Sequence, residues 1–241
     1  MKKDFCFLAI AALMAVANPA SADLISEFEP NPAGADPATV SVELSDGTPS
    51  AAFDLWLISI DNDGFDGNID RAANVMGTYD ANGLAVVSVP DLENPSFTYV
   101  LTDSFTGSTG DDIDPNNDGT MLDLTSFGTI LDAVGIADGT GAAMTLYGGL
   151  IGGVDLGYTG DEPGLVFRDA STGSFFAINE PNDGTIYDQS GAPVSGTFDS
   201  TPTLAGTFGS INPTLTAAVP EPSALTLLGL ASIVLVTRRR K

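Results

Sequence analysis

Apolar and polar residues alternate along most of the chain between residues 23 and 219. The segment Thr39–Leu44 places its three apolar residues on one face, which is the period of a half-buried β-strand. In Phe53–Ile60 apolar residues occupy both faces, which predicts a strand in the interior of a sheet. Further segments with strand-like patterns are Leu24–Phe28, Leu84–Val89, Phe97–Thr102, Thr129–Val134, Met144–Tyr147, Leu165–Arg168, Phe175–Ile178 and Thr185–Tyr187.

Turn-forming residues bound each of these segments and favour an all-β fold. Residues 23–219 contain 26 glycines and 12 prolines, which argue against long helices. The 17 aromatic residues of the same segment supply apolar surface for a packed core. Short strands at this spacing are typical of an antiparallel, immunoglobulin-like β-sandwich. The sequence therefore predicts such a domain at residues 23–212, followed by a linker at residues 213–219.

The first 22 residues have the order of a secretory signal peptide. Lys2 and Lys3 precede a nearly continuous apolar run, and Ala20 and Ala22 form a small-residue cleavage site. A short N-terminal core helix is the alternative. Cleavage after Ala22 would remove Cys6, the single cysteine, so we expect no disulfide in the mature domain. Its stability must then come from the core, the turns or bound ions.

The last 22 residues, 220–241, have a second targeting pattern. A Pro-Glu-Pro motif is followed by an uncharged apolar segment and a basic cluster, in the order Pro220, Glu221, Pro222, Ser223–Thr237, Arg238, Arg239, Arg240. A helix of about 15 residues covers roughly 22 Å, which is short for a hydrocarbon core of roughly 30 Å. This marginal transmembrane helix suits a transient sorting anchor, and a permanent single-span anchor is the alternative.

This order of features resembles the PEP-CTERM sorting signal, with every motif position present in residues 220–241. The resemblance implies export through the Sec translocon, recognition by an exosortase and cleavage near the motif. It implies an inner-membrane anchor through the C-terminal helix before processing, and then release to the cell surface or the extracellular matrix. The basic residues at both ends independently predict that everything between them lies outside the cytoplasm.

The beginning of the predicted domain resembles lamin-tail-like domains. The resemblance rests on Ile25–Pro32, Val42–Leu44 and Leu55–Ile58. Lamin-tail-like domains are immunoglobulin-like β-sandwiches that recur in secreted bacterial proteins. The resemblance thus implies the same fold class as the alternating pattern.

The charge of the predicted domain limits its partners and its chemistry. Residues 23–219 contain 30 acidic residues and two basic ones, Arg71 and Arg168, for a net charge of −28. This charge argues against binding to nucleic acid or to an anionic lipid surface. The chain has no histidine, and lysine occurs only at positions 2, 3 and 241. The predicted domain therefore has no histidine, cysteine or lysine. It cannot use a His or Cys catalytic base, a Cys/His zinc site or a phosphate-loop lysine.

One acidic loop has the spacing of a calcium-binding loop. Asp114, Asn116 and Asp118 occupy the first, third and fifth positions of an EF-hand-type turn, with a glycine at the sixth. Asp112 and Asp123 lie close enough in sequence to supply further oxygen ligands. The pattern predicts a Ca²⁺ site, and a solvated turn of Asp, Asn and Gly residues is the alternative.

A second loop resembles the first but is less complete. Asp61, Asp63 and Asp70 fall at the third, fifth and twelfth positions, whereas Ser59 occupies the first. Carboxylates at alternate positions of a glycine-containing turn can wrap around a calcium ion. The alternative here is a polar connection between two strands.

Three functions agree with these features. The first, which we favour, is a non-catalytic structural or adhesive component of the envelope matrix. The second is a calcium-dependent module that binds carbohydrate such as exopolysaccharide. The third is a glycoside hydrolase that uses paired carboxylates. Catalysis is disfavoured because Trp56, an obvious sugar platform, lies in a strand that we expect to be buried.

We predict that the mature protein begins at Asp23 and lacks the basic cluster Arg238–Lys241, because both targeting segments are removed during export. Intact-mass measurement and terminal-peptide sequencing of the surface fraction would check both ends. Recovery of the Arg238–Lys241 peptide in that fraction would leave the permanent anchor as the explanation.

Overall fold

The computed structural model describes residues 23–216, apart from residues 33–36, 63–66, 92–95, 121, 138–144, 159, 161 and 180–183. The described residues form β-strands and one short 3-10 helix, Gly149–Ile151. In chain order the strands are β1 (Leu24–Phe28), β2 (Thr39–Ser45), β3 (Ala52–Asp61), β4 (Asn68–Thr78), β5 (Ala85–Pro90), β6 (Phe97–Thr102), β7 (Ile130–Ile136), β8 (Val154–Asp155), β9 (Leu165–Arg168), β10 (Phe175–Asn179), β11 (Thr185–Asp188), β12 (Thr197–Phe198) and β13 (Leu215–Thr216).

The strands form two main sheets, which confirms the all-β prediction. The six-stranded sheet has the order β11-β10-β9-β1-β2-β5, and the five-stranded sheet has the order β4-β3-β6-β7-β8. All pairings within them are antiparallel except that of β7 with β8. The pair β12-β13 forms a separate two-stranded ribbon.

The main hydrophobic core lies between the two sheets, as in a β-sandwich. Val42 and Leu44 of the six-stranded sheet and Leu55 and Leu57 of the five-stranded sheet are buried in one cluster. Phe28 contacts Tyr99 across the interface, with ring centroids 5.4 Å apart. Burial of each such side chain contributes about 1.5–3 kcal/mol, so this interface is the main source of stability.

The alternating pattern located most strands correctly. The predicted bounds of β1, β6 and β9 are those of the structure, and the other predicted strands differ at their ends. As predicted, β3 is interior and apolar on both faces: Leu55 faces the main core, whereas Ile58 packs in a second cluster on the opposite face.

Four strands were missed and one prediction was wrong. Strands β4, β8, β12 and β13 were not predicted, because β4 lacks clean alternation and the others have only two residues each. The predicted strand Met144–Tyr147 begins outside the described residues, and its described part is not a strand. There the Tyr147 N–H donates to the Thr98 hydroxyl, 3.0 Å away, instead of to a neighbouring strand.

A third layer covers the outer face of the six-stranded sheet. Phe167 and Phe176 on this face pack against Phe198, Leu204 and Phe208 of the C-terminal segment. The ribbon β12-β13 belongs to the same layer, and its second strand lies within the segment predicted as a linker. Paired structure therefore continues to Thr216.

An ion pair joins the two sheets at β7 and β9. The Arg168 guanidinium donates to both carboxylate oxygens of Asp132, at 2.8 and 2.6 Å. The side chains are 15% and 7% exposed, respectively. Between them lies Ile25 of β1, whose N–H donates to Asp132 and whose carbonyl accepts from Arg168. The guanidinium also lies over the ring of Phe175, 3.9 Å from its centroid. Arg168 is therefore largely enclosed.

We predict that Arg168→Gln lowers the free energy of unfolding by about 3 kcal/mol, because it leaves the Asp132 carboxylate enclosed without its cation. Urea unfolding followed by fluorescence would measure the change.

The matched control is Arg71→Gln, because Arg71 pairs with Asp70 at 2.6 Å but is 39% exposed. An exposed pair contributes less than about 1 kcal/mol. Equal losses from the two variants would contradict the inter-sheet role of Arg168.

Candidate functional site

The first predicted acidic loop is organised around Asp114, which is fully buried. Its Oδ2 accepts hydrogen bonds from the Gly119 N–H at 2.7 Å and the Tyr147 hydroxyl at 3.1 Å. The Asp114 N–H in turn donates to Asp112 Oδ1 at 2.8 Å. The side chain at the first predicted ligand position thus holds the loop in shape.

The other predicted ligands of this loop are exposed and bind their own neighbours. Asp118 Oδ1 accepts from the Thr120 N–H and hydroxyl, and Asp118 Oδ2 accepts from the Asn116 amide at 2.8 Å. Asp123 accepts from Thr125 in the same way. Hydrogen bonds from these threonines lower the pKa of both Asp118 and Asp123. Both carboxylates are therefore charged at neutral pH and exposed to solvent cations.

The second predicted loop is described only in part, because Asp63 lies outside the described residues. Asp61 is the last residue of β3 and its carbonyl accepts from the Gly67 N–H at 2.9 Å. Asp70 lies in β4, where it forms a partly exposed ion pair with Arg71. Asp70 is therefore engaged by a cation of the chain itself.

The structure brings the two predicted loops together. Ile69 and Asp111 are joined by an N–H···O bond of 2.8 Å, and Ile113 donates to the Gly67 carbonyl at 2.9 Å. A Cβ added at Gly67 would lie 2.9 Å from the Asp114 Cβ, so the close approach requires glycine there. We refer to residues 67–70 and 110–123 as the acidic loop pair. Within the described ranges, no three acidic, histidine or cysteine side chains are placed to hold one metal ion.

An open cavity of about 740 Å³ lies beside the C-terminal layer. Asp169 and Asp188 contribute carboxylates to its lining, and Leu215 contributes apolar surface. Phe176 also lines the cavity but is 5% exposed, so its ring face is not available to stack on a sugar.

Two buried glutamates were not predicted as functional residues. Glu27 in β1 and Glu43 in β2 are 1% and 0% exposed. Glu43 lies between Val42 and Leu44, a pattern that predicts a solvent-facing carboxylate. The C-terminal layer buries it, and no local pattern in the sequence indicates which strand face that layer covers.

The predicted targeting residues lie outside the described residues. They are Ala20, Ala22, Pro220, Glu221, Pro222, Arg238, Arg239 and Arg240. In the part of the chain that is described, no helix has the length and apolar character needed to cross a membrane.

Comparison with known families identifies the C-terminal pattern. Residues 218–241 match the model of the PEP-CTERM protein-sorting motif, which confirms the predicted sorting signal. A chain with this motif is exported and processed by an exosortase. No curated protein and no solved structure is significantly similar to the chain.

Proposed function

We propose that the domain at residues 23–216 is a non-catalytic structural or adhesive module that an exosortase delivers to the cell surface or extracellular matrix. The sorting motif at residues 218–241 is the observation that carries this proposal. The motif accounts for delivery, and the layered fold accounts for a module that is stable without disulfides after export.

The environment of the buried carboxylates supports a non-catalytic role. Glu27 and Glu43 are an enclosed pair of acids on one sheet face, but Thr207 and Gly209 cover them and donate to three of their four carboxylate oxygens. A glycosidase needs two carboxylates that flank a substrate and a water molecule. This pair has no such access while the C-terminal layer is in place.

The order of the first seven strands supports the immunoglobulin-like assignment. Strands β1, β2 and β5 are neighbours in one sheet, and β4, β3, β6 and β7 are neighbours in the other. This division corresponds to strands A, B and E opposite C′, C, F and G of immunoglobulin-like sandwiches. The lamin-tail-like relationship stays a prediction that rests on the sequence resemblance.

A calcium-dependent, polysaccharide-binding module is the second candidate function. The observation that favours it is the backbone pairing that assembles the acidic loop pair. Calcium sites take six to eight oxygens and use Asn side chains, backbone carbonyls and water as well as carboxylates. Asp112, Asn116, Asp118 and Asp123 surround this region with exposed oxygens. A bound cation would also offset the charge of −28.

We predict that Glu221→Ala causes cell-associated precursor to accumulate, because it removes the charge of the Pro-Glu-Pro motif. Immunoblots of membrane, surface and medium fractions would measure the distribution of the protein. Ser223→Ala, immediately outside the motif, is the matched control and should be processed normally. Normal release of the Glu221→Ala variant would contradict exosortase-dependent delivery.

The calcium function predicts a higher melting temperature when calcium is added across about 0.1–1 mM, the range typical of extracellular modules. Free calcium at 100 times the dissociation constant would add about 2.7 kcal/mol, because it binds the native state alone. Asp118→Asn with Asp123→Asn should abolish most of the rise while retaining acceptors for the threonines.

The matched control is Asp188→Asn with Asp199→Asn, which removes two charges at positions remote in sequence from the acidic loop pair. Sodium chloride at equal ionic strength separates specific binding from general screening. If calcium raises the melting temperature no more than sodium chloride, the acidic loop pair consists of solvated turns.

A further inference from the structure

Glu27 and Glu43 are paired across β1 and β2 on the outer face of the six-stranded sheet. They are register partners in the antiparallel ladder, a position that places their side chains on the same face about 5 Å apart at Cβ. A register shift between Ile25 and Glu27 allows Ile25 and Phe28 both to face the core. The shift thereby directs the Glu27 carboxylate away from the core.

The segment of residues 203–212, here called the C-terminal strap, covers this pair. Both oxygens of Glu27 accept from the Thr207 N–H, at 3.0 and 2.9 Å, and Glu43 Oε2 accepts from the Gly209 N–H at 2.6 Å. Asn212 extends the contact by donating to the Ser26 carbonyl and hydroxyl. The polar attachment of the strap to β1 and β2 thus runs largely through the two carboxyl groups.

The strap is shaped for close approach to the pair. It turns at Thr203–Gly206 and again at Thr207–Ser210, each closed by a backbone hydrogen bond. Gly206 has φ +65°, and a Cβ there would lie 3.2 Å from Glu27 Cδ. The strap contains no charged residue, so it brings no cation to the two acids.

One oxygen of the pair lacks a partner. Glu43 Oε1 is buried and accepts no hydrogen bond from the described residues. Hydrogen-bond donors face the other three carboxylate oxygens: the Thr207 N–H and hydroxyl donate to both oxygens of Glu27, and the Gly209 N–H donates to Glu43 Oε2. This donor-rich arrangement is unsuited to a metal ion, whereas a proton on Glu27 removes the repulsion between the two enclosed carboxylates.

We propose that Glu27 and Glu43 together act as a pH-sensitive latch, which holds the C-terminal strap on the sheet in acid and loosens it as the pH rises through neutrality. The strap leads through β13 to the sorting motif at residues 218–241, so the latch controls how firmly the base of the sorting tail is attached to the domain. This inference does not depend on an adhesive or calcium-binding role.

The surroundings of Glu27 and Glu43 raise the pKa of both carboxyl groups. Burial is the main cause that raises the pKa of Glu27 from 4.5 to about 7, and the charges of Glu43 and Glu29 add to the increase. Burial and Asp80, in the turn before β5, raise the pKa of Glu43. Within residues 23–216, as far as the structure describes them, no cation opposes these acids: Arg168 on the neighbouring β9 is paired with Asp132 and Arg71 with Asp70.

Proton linkage determines whether the strap closes or opens as the pH rises. With a closed-state pKa of about 7 and an ordinary value in the open state, the closed strap binds more protons between pH 4.5 and 7. The stabilisation is complete below pH 4.5 and is lost as the pH rises through 7. The closed-to-open ratio should fall on the order of a hundredfold between pH 5 and pH 8.

Amide hydrogen exchange of the full chain in mild detergent tests the latch directly. The Thr207 and Gly209 N–H groups donate to the two carboxyls, so their protection factors report strap closure. After correction for intrinsic exchange, both factors should fall between pH 5 and pH 8. The Gly164 N–H, which donates to the Ile178 carbonyl, is the internal reference and should stay protected.

Two isosteric variants test the assignment to the pair. Glu27→Gln and Glu43→Gln, measured separately, should each reduce the pH dependence of the two protection factors. Asp54→Asn, at an exposed position of β3, should leave that pH dependence unchanged. The wild-type measurement alone is decisive if a variant fails to fold. Constant protection from pH 5 to pH 8 would overturn the latch. Recovery of protection at pH 8 with millimolar calcium would also overturn it, because a bound cation would then replace the proton.

Discussion

The ion pair of Arg168 with Asp132 is the enclosed polar contact that ties the two sheets together around β1. It joins β9 of one sheet to β7 of the other, and it binds both backbone polar groups of Ile25 between them. Strand β1 is held in this way at the centre of its sheet, where it presents Phe28 inward and Glu27 outward. In a domain with two basic residues, one of them therefore reinforces the ladders that hold the strand beneath the C-terminal strap.

The sequence pattern predicted the strands that contribute the core, because a strand with one buried face repeats every two residues. Strand β4 lacks this signal: residues such as Asn68, Asp70 and Arg71 are only partly buried, because β4 lies at an edge. The sequence of the C-terminal layer also lacks a periodic pattern. Its apolar residues, including Leu204 and Phe208, lie mostly in irregular segments and follow no period.

The chemistry of the candidate sites was only partly evident from residue spacing. The order of motif, apolar segment and basic cluster identified the sorting signal, since such a signal is read as linear sequence. The spacing of Asp114 to Asp118 predicted a turn with inward-directed oxygens, but it did not show that Asp114 is occupied by Gly119 and Tyr147. The contact of Asp114 with Tyr147, like that of Glu27 with Thr207, joins residues far apart in the chain and depends on how the layers pack.

The scarcity of basic residues has a consequence for survival outside the cell. Trypsin-like enzymes cut after lysine or arginine, and residues 23–219 offer them Arg71 and Arg168 alone. Arg71 is paired with Ser59 in the ladder of β4 with β3, and Arg168 with Phe175 in that of β9 with β10. Cleavage requires the chain to leave its ladder and enter the enzyme as an extended segment. The folded domain is therefore resistant to this class of secreted enzyme until a sheet opens.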